Sequence, residues 1–135
     1  MAAIPLAAYA ASRPAAGPAV YGVALSVYAI GRLVCHQLPA RSFHLWMTSL
    51  PVCARCTGIY AGAAATAILL RDSRLGSRVN RFGGQARLGL LLAFIPTGLT
   101  LVVEWTTGVT PANWIRALAG LPLGAAVAWA IGMVN

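Results

Sequence analysis

Residues 51–70 read PVCARCTGIYAGAAATAILL, an apolar run that opens with a Cys-X-X-Cys motif. Cys35 and His36, which close the preceding apolar run, lie eighteen residues before Cys53. A helix needs roughly 20 apolar residues to cross the hydrocarbon core of a bilayer, so both runs predict membrane-spanning helices. Joined ends of consecutive spans share one membrane face. We therefore expect Cys35, His36, Cys53 and Cys56 to lie together.

The composition indicates an integral membrane protein. Of 135 residues, 59% are hydrophobic and 9% are charged, and the mean hydropathy is +0.76, whereas a soluble domain carries about 25% charged residues. The ten basic residues are all arginines and exceed the acidic ones by eight. No basic helix face interleaved with aromatic residues is present, so we expect no nucleic-acid partner. The expected partner is the lipid bilayer.

The apolar pattern predicts an all-α fold, a compact bundle of four transmembrane helices in one membrane domain covering residues 1–135. Backbone groups in lipid must find their hydrogen bonds within the chain, which favours helices. Residues 1–14 are expected to be a short retained tail or interfacial stretch, because they lack the early positive charge of a signal peptide. The predicted spans cover residues 18–34, 51–70, 88–105 and 114–133.

The arginine distribution predicts the orientation of the chain. The connection 71–87 holds five arginines, and loops rich in Lys and Arg face the cytoplasm. Both termini are then cytoplasmic in a prokaryotic cell membrane, and the cysteine face is extracytoplasmic.

The cysteine face predicts a metal site. Pro51 suits the first turn of a helix, where its missing N–H is not needed. A helix N-terminus stabilises the thiolate form of Cys53 and Cys56, which is the form that binds metal. Three cysteines with His36 make a Cys3His set, which zinc accepts in structural sites. Thiolates would also suit Cu(I) or another soft metal, and His44 is an alternative fourth ligand.

Two interpretations of the charged residues near this face stay open. Arg55, Glu104 and Arg116 could form a polar ring that orients the metal ligands. Alternatively, Arg32 and Arg55 could reach the lipid headgroups, with Glu104 and Arg116 paired across the short turn between the last two helices.

Two other classes of function use the same features. In a thiol–disulfide oxidoreductase, Cys53 would attack, Cys56 would resolve the mixed disulfide and Cys35 would be a partner thiol. In a structural subunit of a larger membrane complex, Gly58 and Gly62 would dock a partner helix, either within the bundle or in a second chain. No carboxylate pair supports glycosidase chemistry. The sequence leaves the catalytic residues and any enzymatic activity undecided, and it predicts no organic cofactor.

Two motifs resemble a known family. CHQLPARSF (residues 35–43) and PVCARCTGIY (residues 51–60) are similar to the small prokaryotic membrane proteins called domain of unknown function 2085. The resemblance implies that Arg41 belongs to one motif with the three cysteines and His36, and it implies no activity. It departs in the third span, where the family pattern has Asp and Gln and this chain has Thr100 and Glu104.

Overall fold

A computed structural model describes residues 3–13, 17–71 and 86–132. Within them the chain forms five α-helices, one 3₁₀ turn (Pro39–Arg41) and one β-hairpin. The helices are α1 (Ala3–Ala11), α2 (Pro18–Val34), α3 (Ala54–Arg71), α4 (Ala86–Thr107) and α5 (Asn113–Gly132), and the strands are β1 (Ser42–Leu45) and β2 (Thr48–Cys53).

The prediction of a bundle of four transmembrane helices is wrong. In the described part of the chain, two stretches are long and apolar enough to cross a membrane, Arg87–Thr107 and Asn113–Gly132. Only 17% and 28% of these stretches is buried, so most of their apolar surface is free to face lipid. The predicted first span is a shorter apolar helix of 17 residues.

The predicted second span, residues 51–70, fails for a different reason. Its first three residues belong to β2, and α3 begins only at Ala54. The helix then carries Arg55 in its first turn and ends on Arg71, which lowers its mean hydropathy. The prediction of a single domain is untested and stays a prediction.

The hairpin lies in a segment whose residues do not predict a turn. β1 and β2 pair antiparallel, with Ser42 opposite Cys53 and Leu45 opposite Thr48. The turn residues Trp46 and Met47 have φ of 50° and 64°, the left-handed conformation required at both positions of a type I′ turn. Such turns usually contain Asn or Gly, so Trp-Met at this position does not predict one.

Helix α3 packs against α5 through glycines on both helices. A side chain at Gly58 or Gly62 would collide with the backbone carbonyls of Ala117 and Leu121. Conversely, a side chain at Gly120 or Gly124 would collide with backbone carbonyls of α3. Small residues let the backbones of two helices approach closely, so that van der Waals packing can hold them together in lipid, where no hydrophobic driving force does so. Of the two contacts considered for the Gly58/Gly62 stripe, the structure contains the one within the chain, while assembly with a second chain stays a prediction.

Helices α4 and α5 are joined by a polar contact as well as by packing. The buried Thr97 hydroxyl donates a hydrogen bond of 2.7 Å to the Ala119 carbonyl. The ring of Trp129 covers Gly89. Pro96 and Pro122 lie inside these two helices, as membrane helices tolerate.

At the N-terminus, α1 packs against α2 and the hairpin. Its buried alanines, Ala7 and Ala10, meet Ala24 of α2. The Tyr9 ring lies edge-to-face with Trp46 at 5.1 Å between centroids. A helix therefore occupies part of the segment predicted to be a short tail, because these alanines find an apolar surface to cover.

The orientation prediction rests on a segment largely outside the described residues. Residues 72–85, which include Arg74, Arg78 and Arg81, are not among them. The cytoplasmic placement of the termini and the extracytoplasmic placement of the cysteines stay predictions.

Candidate metal centre

The three cysteines meet where α2 ends, β2 ends and α3 begins. Cys35 ends α2, where its extended backbone (φ −145°, ψ 139°) stops the helix and its N–H bonds to the Gly31 carbonyl. Cys53 is the last residue of β2, and Cys56 lies in the first turn of α3. The strand thus runs directly into the helix, which holds Cys53 and Cys56 at the helix N-terminus. There the peptide dipoles favour negative charge.

The three sulfur atoms lie within 4.8 Å of one another. All three cysteines are free thiols, and each is partly buried. The backbone N–H of Cys53 donates a hydrogen bond of 3.2 Å to the Cys35 sulfur. Donors of this kind stabilise a thiolate and orient metal ligands. Three cysteines this close could bind a metal ion.

Hydrogen bonding within the cluster separates the pKa values of its thiols. The hydrogen bond from Cys56 lowers the pKa of Cys53 to about 5, against the opposing effect of burial. The same hydrogen bond, together with burial, raises the pKa of Cys56. Cys53 is therefore a thiolate at neutral pH, and a metal ion would have to displace a proton from Cys56.

Gln37 fixes the loop that follows Cys35. Its side-chain amide donates to the carbonyls of Tyr28 (2.8 Å) and Pro51 (2.7 Å), while its own backbone has φ of 49°. A side chain at Gly31 would collide with this amide and with the Pro51 carbonyl, so glycine is needed there. Gln37 thus joins α2 to β2 beside the sulfurs. We had not predicted this role, although Gln37 directly follows the Cys35-His36 pair.

The two histidines are not among the ligand atoms gathered within 4.8 Å. His36 is exposed and lines the same cavity as the cysteines. His44 is exposed on β1, opposite Ser49. The Cys3His set, with either histidine as fourth ligand, stays a prediction.

Three arginines converge on Glu104 beside the cysteines. One oxygen of the carboxylate accepts from Arg116 at 2.6 Å and from Arg41 at 2.8 Å, and the other lies 3.4 Å from Arg55. Arg55 also donates to the Thr100 hydroxyl at 3.3 Å. The side chains of Glu104 and Arg116 are each 3% exposed. A charge so buried requires a partner, and these residues form one ion cluster across α3, α4, α5 and the 3₁₀ turn.

A cavity of about 560 Å³ connects the sulfurs with the ion cluster. Its polar wall includes His36, Gln37 and four arginines, and its apolar wall comes from the ends of α2 and α4. The arginines are Arg32, Arg41, Arg55 and Arg116, and the apolar residues are Leu33, Val34, Leu38, Leu101 and Trp105.

Two uncharacterized proteins are similar to this chain. An uncharacterized protein of Methanocaldococcus jannaschii is 33% identical over 85 residues, which are 63% of this chain and 50% of that protein. An uncharacterized protein of Methanothermobacter thermautotrophicus is 33% identical over 100 residues, 72% of this chain and 83% of that protein. This chain thus spans about half the length of the first relative. No solved structure matches.

The family comparison covers the cysteines, the ion cluster and both candidate spans. The model of the family described as "Predicted membrane protein (DUF2085)" matches residues 35–130. This range begins at Cys35 and includes Cys53, Cys56, Glu104 and Arg116. The chain belongs to the DUF2085 family of predicted membrane proteins.

Proposed function

We propose that this membrane protein binds one zinc ion through the thiolates of Cys35, Cys53 and Cys56, with His36 as the fourth ligand. The observation that carries the proposal is that three sulfurs, from the ends of α2 and β2 and the start of α3, lie within 4.8 Å of one another. His36 directly follows Cys35 and lines the same cavity, which supports its choice as the fourth ligand.

The residues present fit a zinc ion. With Zn–S bonds of about 2.3 Å, two sulfurs on one tetrahedral ion are about 3.8 Å apart. Sulfurs that lie within 4.8 Å of one another are compatible with that spacing. The N–H donated to the Cys35 sulfur is the kind of contact that supports a metal-bound thiolate. Four protein ligands would leave no open position, so the ion would be structural.

The role of the ion follows from what it would join. α2, β2 and α3 meet at the sulfurs, and the nearby cross-links are the two hydrogen bonds of Gln37 and one from the Tyr28 hydroxyl to the Ser49 carbonyl, 2.6 Å. Metal-binding energy in such a site becomes folding energy. The ion would fasten the end of α2 to the start of α3.

The test is metal content and thiol reactivity on full-length protein purified in detergent without chelator. We expect about one zinc per chain, and thiols that react only after chelator is added. His36→Ala should lose most of the metal, whereas His44→Ala, the matched change of an exposed histidine outside the cavity, should keep it. A chain that carries no metal and reacts freely at its thiols contradicts the proposal.

A second candidate is a thiol–disulfide oxidoreductase, favoured by the position of Cys53 and Cys56 at a helix N-terminus. The Cys53 thiolate would attack a substrate disulfide, releasing one substrate thiolate. Cys56 would then displace the second, leaving a Cys53–Cys56 disulfide and a reduced substrate. In this case His36→Ala should leave exchange with a model disulfide unchanged, whereas Cys53→Ser should abolish it. If the His36→Ala protein loses its metal but keeps its rate of disulfide exchange, metal binding and thiol exchange are separate functions.

A further inference from the structure

The cavity lies at one end of the two candidate spans. Leu101 and Trp105 lie in the last two turns of α4, and Arg116 lies in the first turn of α5. A short connection joins these two helix ends, so they are at the same membrane face. Basic and aromatic side chains at this depth are typical of the interface between lipid headgroups and hydrocarbon.

The cavity has more positive than negative charge. Four arginines line it, and Glu104 is the carboxylate that contacts three of them, Arg41, Arg55 and Arg116. Four guanidinium groups thus share one carboxylate among the described residues, and Arg32 has no ion pair there. An anionic group is therefore favoured in this cavity.

Two buried guanidinium groups also keep a free donor. The Nε–H groups of Arg55 and Arg116 have no hydrogen-bond partner among the residues that the structure describes. The Arg116 side chain is only 3% exposed, and it lines the cavity. A buried donor without a partner is costly, and the guanidinium fork matches a phosphate group.

The other wall of the cavity is apolar and open. Leu33, Val34 and Trp105 line the cavity, yet they are 88%, 64% and 80% exposed. In a membrane protein such side chains contact acyl chains. A ligand seated on the arginines would thus meet lipid-facing surface directly beside its anionic group, which favours an amphiphile over a small soluble anion.

We propose that this cavity binds the phosphate headgroup of an anionic phospholipid, with its acyl chains along Leu33, Val34 and Trp105. The site is separate from the zinc proposal, because arginines and not cysteines hold the headgroup. The lipid would fill the space between the end of α2 and α4 and would supply the acceptor that Arg55 and Arg116 lack.

The test measures lipid binding to full-length protein in neutral detergent, by native mass spectrometry and by the thermal unfolding midpoint. The probes are phosphatidylglycerol, phosphatidylcholine and inorganic phosphate. We expect phosphatidylglycerol to bind saturably at one molecule per chain and to raise the midpoint. Phosphatidylcholine and inorganic phosphate should do neither at the same concentrations. The same result with chelator present would show that lipid binding does not depend on the metal.

Matched variants locate the site. Arg32→Gln removes an exposed cavity arginine without an ion pair among the described residues, and it should weaken phosphatidylglycerol binding about fivefold. Arg71→Gln removes the same charge from the far end of α3, outside the cavity, and should leave the affinity within about twofold. Equal losses for both variants, equal binding of phosphatidylcholine, or full stabilisation by inorganic phosphate would each overturn the proposal.

Discussion

The α3–α5 contact is held in two different ways along its length. In its middle, the backbone of α3 closely approaches the backbone of α5 at Gly58 and Gly62. At the end that carries the cysteines, Arg55 of α3 and Arg116 of α5 share the carboxylate of Glu104. Close packing at the glycines thus sets the distance between the two helices. This distance allows the guanidinium groups of Arg55 and Arg116 to reach one carboxylate.

The largest effect is expected from Glu104→Gln, which breaks the polar end. Three guanidinium groups would then surround a neutral amide in a buried site, and losing one partner of a buried ion pair costs about 3 kcal/mol or more. The free energy of unfolding, measured by denaturant titration in detergent, should fall by about this amount. Adding Arg41→Gln should restore part of the loss, because it removes one of the uncompensated charges. A single variant as stable as the wild type would show that the ion cluster does not hold the helices.

The next effect is expected from Gly62→Leu, which breaks the packed middle. The new side chain would collide with the Leu121 carbonyl, and overpacking of this kind costs about 1–3 kcal/mol. Gly22→Leu is the matched control, because a side chain there meets nothing within 4 Å. The same denaturant titration compares them, and equal stability of the two variants would contradict a close helix contact at Gly62.

A smaller effect is expected from Gln37→Ala, which removes the link between α2 and β2 beside the cysteines. The variant loses two hydrogen bonds to carbonyls, each worth about 1 kcal/mol. Protein without metal should lose about 1–2 kcal/mol, and its Cys35 should react faster with a thiol reagent. Ser26→Ala, which removes a hydrogen bond within one exposed helix turn, should change neither quantity. A Cys35 reaction rate equal to that of the wild type would contradict the role of Gln37.

The smallest effect is expected from a change of pH, acting on Cys53. Because the pKa of Cys53 is lowered to about 5, its thiolate persists as the pH falls from 8 to 6 and is lost only near pH 5. In metal-free protein the alkylation rate at Cys53 should therefore stay nearly constant between pH 8 and 6. A free cysteine with a pKa near 8.5 would slow about a hundredfold over this range. Such a fall would contradict the shared hydrogen bond with Cys56.

The sequence predicts the meeting of the three cysteines for a simple reason. The end of one apolar segment and the start of the next must be close when the connection between them is short. The membrane assignment follows as directly, from an apolar composition with few charges. Both conclusions depend on sequence distance and polarity, which the residues state without reference to tertiary contacts.

The hairpin and the helix count required information that the sequence does not display. Counting apolar residues cannot separate the strand residues Pro51–Cys53 from the helix that follows them, so it assigned one span too many there. Trp46 and Met47 adopt left-handed conformations against their usual preference, and Tyr9 packs on Trp46 in the finished fold. Tertiary contacts stabilise this turn, and local propensity does not reveal them.

The ion cluster around Glu104 also has a consequence for the bilayer. Three guanidinium groups present about fifteen N–H donors, and one carboxylate offers about four acceptor positions. Most of these donors therefore need water or another acceptor. Hydrocarbon supplies neither, so this end of the helices must stay hydrated. The ion cluster therefore places the joined ends of α4 and α5 at the hydrated interface and not in hydrocarbon.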